Sequence, residues 1–223
     1  MRTAGEAIAA RMVSVPPDAI SVKISPSAAE ALSFWASFFS SWDKKLNVCL
    51  SFGPCASWEF LGRIDASTEW GCGGFILAAD KSLFYYFLHE WSAQQRAAAF
   101  VSSRESTGAF ECLGMSLWIQ CFAELCSGRR VLVEMDNRES ARAIEAGFSS
   151  CPRIMPSIRS IRMLCARSNI CLRVRHILGV PFNTIADHLS HNRVLQAVEE
   201  ASALFGCEMR PWPNTRSLLW TPV

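Results

Sequence analysis

The order of apolar segments from residue 60 onward constrains the fold of this chain more than any other feature. Three short apolar stretches come first, separated by turn residues, and they predict strands over 60–67, 72–79 and 82–90. The tight connection Ala79-Asp80-Lys81 predicts a hairpin between the second and the third. These three strands can therefore pair as an antiparallel meander.

Beyond residue 90, helical and strand patterns alternate. The sequence predicts a long helix over 103–126, which ends at Ser127-Gly128, and two further strands over 131–135 and 170–176. Three more helices are predicted over 138–146, 156–168 and 184–205. Strands separated by helices pair in parallel through crossovers. The sequence thus predicts an α/β fold, with a five-stranded mixed sheet of three antiparallel and then two parallel strands, and helices on both faces.

The chain is predicted to have three parts. Residues 1–57 are interpreted as an N-terminal arm with a Trp- and Phe-rich helix from Leu32 to Trp42 and a possible strand over 46–52. Residues 58–208 hold the predicted α/β domain, and residues 209–223 are interpreted as an irregular tail.

Charge and cysteine content exclude several classes of protein. A net charge of +2 over 223 residues is too small to indicate nucleic-acid binding, although the arginines between 153 and 175 have no acid among them. The ten cysteines are scattered, and no Cys-x-x-Cys occurs, which argues against a disulfide scaffold and a structural zinc site. With no signal-peptide core and no apolar run of membrane-spanning length seen, we expect a soluble intracellular protein, in the nucleus or the cytoplasm.

Four acids stand where predicted elements meet one end of the sheet. Asp65 lies on the first strand, Glu105 in the long helix, Asp136 after the fourth strand and Asp187 near the start of the last helix. Clustered carboxylates repel one another unless a cation neutralises them, and oxygen ligands suit Mg²⁺ or Mn²⁺. Two such ions, about 3.5–4 Å apart, clamp the attacking and leaving oxygens of a phosphodiester.

Each of these acids also has a local explanation. Glu105 has capping-box spacing from Ser102, Asp136 and Asp187 can serve helix starts, and Asp65 can be a turn residue. Glu111 competes with Glu105 for the place of the helix acid. Six residues at ~100° each put these two on different helix faces, so only one can face the site, and Glu105 is preferred because it lies nearer the helix start.

These motifs together resemble ribonuclease H, in particular the domain that follows reverse transcriptase in retroelements of the DIRS and Ty3 types. The resemblance covers about Trp58 to Phe205, and the helix from Leu32 to Trp42 resembles the Trp-rich segment before that domain. The matching residues are Asp65-Ala66-Ser67, Gly71, Gly74, Glu105, Asp136-Asn137, His176, Gly179, Asn183, Ala186-Asp187 and Leu189-Ser190. One departure is His191, which stands where the family's closing motif has arginine.

The resemblance implies an activity and its residues. The four acids would bind two Mg²⁺ or Mn²⁺ ions, and water would cut the RNA strand of an RNA–DNA hybrid to leave 3′-hydroxyl and 5′-phosphate ends. His176 would correspond to a mobile histidine that helps the product leave. A reverse transcriptase domain is an implied partner, and no membrane is. Substrate contacts are expected from Ser67, Gly71, Ser103, Asn137, Asn183 and Arg175.

Two alternatives remain open. Another nuclease of the same fold is disfavoured, because integrases order their acids Asp-Asp-Glu and exonucleases place Asp-x-Glu on the first strand, whereas Ala66-Ser67 follows Asp65 here. The other alternative is an inactive fragment that binds nucleic acid or supports a polymerase or another protein. The aromatic N-terminal helix and the lack of polymerase motifs keep this alternative open.

Overall fold

The computed structural model describes residues 24–40, 57–99 and 103–213. The chain divides into two compact units, Met1–Lys45 and Leu46–Val223. In the first unit, the predicted aromatic helix is α1, Pro26–Ser40, on which Trp35 stacks against Phe39 with ring centroids 5.8 Å apart. Its predicted end at Trp42 lies outside the described residues. The strand predicted over 46–52 lies outside the described residues.

A mixed sheet forms the centre of the second unit, in the order β5-β4-β1-β2-β3-β6. Its strands are β1 Phe60–Ala66, β2 Gly71–Ala78, β3 Phe84–Glu90, β4 Arg130–Met135, β5 Cys171–His176 and β6 Arg210–Pro211. β1, β2 and β3 pair antiparallel, whereas β4 pairs parallel with both β1 and β5. The predicted fold class is confirmed. The short β6, which pairs parallel with β3, was not predicted and lies in the part interpreted as an irregular tail.

Six helices accompany this sheet in the described residues of the second unit: α2 Ala93–Ala99, α3 Ser103–Cys126, α4 Arg138–Ala146, α5 Met155–Arg167, α6 Thr184–Ser190 and α7 Val194–Phe205. The bounds predicted for α3 and α4 are confirmed. The short α2 was missed, although Ser92 and Gln95 exchange the side-chain and backbone hydrogen bonds of a capping box at its start.

The single helix predicted over 184–205 was wrong, because the helix breaks after Ser190. Asn192 adopts a left-handed conformation, φ 57°, which asparagine tolerates better than most residues. The backbone N–H of Arg193 then donates to the carbonyl of His188 at 2.7 Å and closes the turn. α6 and α7 are therefore separate helices that can pack at different angles.

Helices cover both faces of the sheet because the side chains of β2 alternate between two apolar cores. Ile76 and Ala78 belong to the larger core, built with α3, α4 and α5 around Trp118. Phe75 and Leu77 belong to the smaller core, built with α6 and α7. Every residue of β2 is consequently buried.

α3 is a core helix. Among the described residues, its segment Thr107–Cys126 is the one helical stretch long and apolar enough to cross a membrane, a run that the sequence reading did not recognise. Of that stretch, 78% is buried inside the domain, as expected for a helix that packs against a sheet. The acids Glu111 and Glu124 interrupt its apolar sequence.

Candidate metal centre

Three carboxylates meet at one edge of the sheet. Asp65 lies near the end of β1 and Asp136 directly follows β4, and because these two strands are parallel neighbours their carboxyl ends lie side by side. Glu111, from α3, joins them. One carboxylate oxygen from each of the three lies within 4.8 Å of the other two. Such a group can hold a metal ion.

A second donor group shares Asp65. It consists of Asp65, Asp187 on α6 and His191, which follows that helix, and their ligand atoms again lie within 4.8 Å of one another. α6 reaches this position because β2 has glycine at residue 73. A Cβ on Gly73 would lie 2.5 Å from the carbonyl carbon of Leu189, so any side chain there would push α6 away.

Two polar side chains orient these carboxylates. The Ser190 hydroxyl donates to Oδ2 of Asp65. The amide of Asn183, which is 1% exposed, hydrogen-bonds the Asp136 side chain and donates from Nδ2 to the carbonyl of Ile64 at 3.2 Å. Asn183 thus connects the ends of β1 and β4, and its position is internal to the domain.

The electrostatics of the first group favour a cation. Burial is the main cause that raises the pKa of Asp65 to about 6, and the charges of Asp136 and Asp187 raise it further, against the hydrogen bond from Ser190. Burial, together with the charges of Asp65 and Asp136, also raises the pKa of Glu111 well above its usual range. The pKa of Asp136 is raised, again chiefly by burial. No described basic side chain belongs to the group of Asp65, Glu111 and Asp136, so a bound cation would stabilise their carboxylates.

The donor set fits a hard divalent ion. The Oε2 atom of Glu111 is buried and has no hydrogen-bond partner among the described residues, which is unusual for a carboxylate oxygen inside a protein. A metal ion beside Asp65 and Asp136 would satisfy it. Carboxylate oxygens are the ligands that Mg²⁺ and Mn²⁺ prefer.

The helix acid in this group is Glu111, where the sequence analysis preferred Glu105. Glu105 lies in the first turns of α3, and its side chain is outside what the structure describes. The sequence signal for Glu111 is its setting, since an acid between Phe110 and Cys112 on a buried face needs a partner.

His176 lies outside both donor groups. It is exposed at the end of β5, and its charge acts to lower the pKa of Asp136, which places it in the neighbourhood of the site. The histidine that joins a group is His191, which the sequence analysis noted only as a departure from the family's arginine.

Three of the predicted substrate contacts have roles inside the domain. The Ser67 hydroxyl accepts hydrogen bonds from the backbone N–H groups of Glu69 and Trp70, at 3.2 and 3.4 Å. Asn137 caps α4 by accepting from the N–H of Ser140 at 3.0 Å. A Cβ on Gly71 would lie 2.0 Å from the carbonyl oxygen of His89, so the close approach that requires glycine is to β3.

Arg175, a fourth predicted contact, belongs to an ion-pair network. Its guanidinium hydrogen-bonds Glu134, whose side chain is 4% exposed, and Glu134 also pairs with Arg63 at 2.9 Å. Arg63 donates in turn to the carbonyl of Phe182 in the loop before α6. Arg175 remains 60% exposed, so it can still meet a ligand. The side chain of Ser103, the last predicted contact apart from Asn183, is outside the described residues.

Two members of the arginine-rich segment support α4. Arg162 donates to the carbonyls of Ile144 and Glu145 at 2.6 Å, and Arg173 pairs with the carboxylate of Glu145. Arg162 and Arg173 therefore stabilise the C-terminal end of α4, which leaves them less available to bind a nucleic-acid duplex.

No family model and no curated protein matches this chain. Among eighteen solved chains that match is the N-terminal RNase H domain of a Mycobacterium tuberculosis protein, solved as a fusion with maltose-binding protein. Its identity to this chain is 15% and the TM-score is 0.42, over 65% of this chain and 99% of that chain.

Two further solved matches are also RNase H proteins. LC11-RNase H1, isolated from compost by a metagenomic approach, is 19% identical with a TM-score of 0.41, over 63% of this chain and 99% of that chain. RNase H1 from the halophilic archaeon Halobacterium salinarum is 12% identical with a TM-score of 0.42, over 64% of this chain and 98% of that chain.

Proposed function

We propose that this protein is a metal-dependent nuclease that hydrolyses the RNA strand of RNA–DNA hybrids with two divalent ions, Mg²⁺ or Mn²⁺. The observation that carries the proposal is the position of Asp65, which belongs to two donor groups at once. A carboxylate shared by neighbouring ions is the arrangement that a two-metal phosphodiesterase needs. The resemblance of the motifs from Asp65 to Ser190 to ribonuclease H supports this substrate.

Each acid has a proposed role. Asp65, Glu111 and Asp136 would hold one ion, and Asp65 with Asp187 the other. When bound, the ions would supply an acidified water and stabilise the charge that develops on the scissile phosphate. Ser190 holds the Asp65 carboxylate and Asn183 holds that of Asp136, so these two side chains keep the donors oriented before substrate arrives.

Preference for RNA requires a contact with the 2′-hydroxyl. We propose Asn137 and Ser67 for it, because they lie beside Asp136 and at the end of β1. The side-chain oxygen of each accepts a hydrogen bond in a local cap or turn. The amide N–H groups of Asn137 and the hydroxyl hydrogen of Ser67 would therefore donate to the 2′-hydroxyl of the sugar. Arg175 would meet a phosphate, and His176 would act near Asp136 during product release.

The same motifs support an origin in a retroelement of the DIRS or Ty3 type, with a reverse transcriptase domain as a partner. The eight cysteines that the structure describes are free, which fits the reducing conditions of an intracellular protein. A second candidate function is an inactive binding module. It is favoured by the exposed aromatic rings on α1, where Trp35 and Phe39 are 51% and 55% exposed.

Cleavage of defined substrates distinguishes these functions. A labelled RNA–DNA hybrid, double-stranded DNA and single-stranded RNA are each incubated with the protein and Mg²⁺ or Mn²⁺. We expect cleavage of the RNA strand in the hybrid alone. Asp136→Asn should lower the rate roughly 100-fold or more, because loss of a metal ligand removes several kcal/mol of transition-state stabilisation.

The matched control is Glu139→Gln, the same chemical change at an exposed position three residues away. It should leave the rate unchanged. Cleavage that survives Asp136→Asn, or a wild-type protein that cuts none of the substrates with either ion, would reject the nuclease and leave the binding module.

A second pair of variants tests which helix acid binds metal. Glu111→Gln should reduce hybrid cleavage as strongly as Asp136→Asn, since it removes a donor from the same group. Glu105→Gln should retain activity, because two positions six residues apart on a helix do not face one site. The opposite result would return the role to Glu105.

A further inference from the structure

His191 adds a nitrogen donor to a site whose other donors are all carboxylate oxygens. Resting on the proposed two-metal function, we propose that His191 is a direct ligand of the second ion, with Asp65 and Asp187, and that this ligand makes the site selective for Mn²⁺ over Mg²⁺.

The imidazole ring is held in an orientation suited to binding an ion. Nδ1 of His191 lies 2.9 Å from the carbonyl oxygen of Asp187 and 3.1 Å from the hydroxyl of Ser190. The same atom lies 3.6 Å from Oδ1 of Asp187, so Nδ1 is the ring nitrogen that faces the second donor group. No described residue hydrogen-bonds Nε2. An ion held by Asp65 and Asp187 would therefore meet Nδ1, which would exchange its hydrogen bond to the carbonyl for the metal and leave the ring proton on Nε2.

The position of His191 is fixed by the break between α6 and α7. Its backbone N–H still donates to the carbonyl of Asp187 at 3.2 Å, and its ring lies in the donor group that includes Asp65. Its side chain is 34% exposed, which leaves a path for an ion and its water. The Ser190 hydroxyl lies between Asp65 and the ring and contacts both.

A second observation indicates an ion at this edge of the sheet. Glu111 is 2% exposed, and its Oε2 atom has no partner among the described residues although it lies in the donor group that shares Asp65. A buried, unpartnered carboxylate oxygen needs a cation or a proton. A cluster of acids alone would not identify a metal site. Here two donor groups share Asp65, and one of them contains a buried carboxylate oxygen that has no hydrogen-bond partner among the described residues.

The donor types determine which ion is favoured. Mg²⁺ binds through oxygens and gives up its water reluctantly, so it gains little from imidazole. Imidazole is a better ligand for transition metals, and Mn²⁺ accepts both carboxylate oxygen and histidine nitrogen. Replacing oxygen or water by His191 therefore shifts the second position away from Mg²⁺.

The chain's other histidines serve as controls. His188 is on α6 one turn earlier, and its Nε2 lies 3.5 Å from Glu200. His89 hydrogen-bonds Gln95 at 2.9 Å. His176 is at the end of β5, near Asp136 but in neither donor group. None of these three is expected to contact the ion.

Electron spin-echo measurements on Mn²⁺ bound to the full chain, without nucleic acid, test the proposal directly. Wild-type protein should show the nitrogen modulation of a coordinated imidazole. His191→Gln should abolish this modulation and weaken Mn²⁺ binding at least tenfold, roughly the cost of disturbing a metal shell, with less effect on Mg²⁺. His188→Gln and His89→Gln should keep both the modulation and the affinity.

Three results would overturn the proposal: no nitrogen modulation in the wild type, modulation that persists in His191→Gln, or no Mn²⁺ binding at all. The wild-type spectrum does not depend on the folding of any variant. Hybrid cleavage is scored separately. Coordinated imidazole without cleavage would leave His191 as a ligand and reject the nuclease, whereas cleavage without coordinated imidazole would do the reverse.

Discussion

At the scale of single residues, Asp65 is the one residue common to both donor groups in the described part of the chain, and burial of its carboxylate lowers the stability of the fold. It supplies oxygen to both donor groups, yet it is 8% exposed and lies among other acids. The fold tolerates it through the hydrogen bond from Ser190 and through protonation. Without metal, its ionisation should destabilise the protein.

The stability of the metal-free protein should therefore depend on pH. The pKa of Asp65 is raised from 3.8 to about 6, so the folded state binds the proton more tightly than the unfolded state does. Its stabilising contribution is present below about pH 4 and is lost as the pH rises through about 6, a change of roughly 3 kcal/mol. Urea unfolding with a chelator, from pH 4 to 7.5, should show this loss relative to Asp65→Asn.

Two comparisons check that prediction. Glu139→Gln should follow the wild-type curve, because its exposed side chain has no part in the cluster. Addition of Mn²⁺ at neutral pH should restore stability to the wild type and much less to Asp65→Asn, since an ion that binds only the folded state stabilises it. A difference between wild type and Asp65→Asn that stays constant with pH would contradict the assignment.

The sequence could predict some site residues because of where they stand on elements. Asp65 and Asp136 come at the ends of strands that must pair in parallel, so their convergence followed from the fold class. Glu111 did not follow, because the rotational phase of α3 depends on packing around Trp118, and Glu105 was preferred for its place nearer the helix start. His191 was noted only as a departure from the arginine of the family motif. Its position depends on a helix break, and no Gly or Pro in the sequence predicts that break.

At the scale of elements, the contact of α6 with β2 brings the second donor group into place. Gly73→Ala should push α6 outward, because the new methyl group would lie 2.5 Å from Leu189. Overpacking of this kind costs about 1–3 kcal/mol. We expect a lower melting temperature and slower hybrid cleavage, as Asp187 and Ser190 move from Asp65.

The matched control is Gly108→Ala. Residue 108 lies inside α3, and its new methyl group would be 3.5 Å from the hydroxyl of Ser140, an ordinary contact. Alanine inside a helix is favoured over glycine by roughly 0.5–1 kcal/mol, so this variant should be as stable as the wild type or slightly more stable. Equal behaviour of Gly73→Ala and Gly108→Ala would show that α6 does not need the close approach.

Element boundaries were predictable where a single strong signal ends them. α3 ends before Ser127-Gly128 and α4 ends at Gly147, which adopts the left-handed conformation with φ 69°. β6 has only two residues, and its strand conformation comes from pairing with β3, so its own sequence carries no pattern. The separation of α6 from α7 depends on Asn192, for which local sequence is a weak guide.

At the scale of the whole molecule, both apolar cores and both donor groups belong to the second compact unit, Leu46–Val223. The first unit contributes α1, whose Trp35 and Phe39 are exposed. Because these features are divided between the two units, we predict that the units have different functions. The second unit would carry the proposed nuclease activity, and α1 in the first unit would bind a partner through its aromatic side chains.

A chain that begins at Leu46 tests this separation. Its thermal unfolding should stay within about 2 °C of that of the full chain, which corresponds to roughly 0.5 kcal/mol for a protein of this size. Cleavage of the hybrid and binding of Mn²⁺ should be unchanged. As a control on the aromatic helix itself, Trp35→Ala with Phe39→Ala in the full chain should reproduce the behaviour of the shortened chain. A large loss of stability or activity on shortening, absent from the double variant, would show that residues 1–45 support the domain through something other than these two rings.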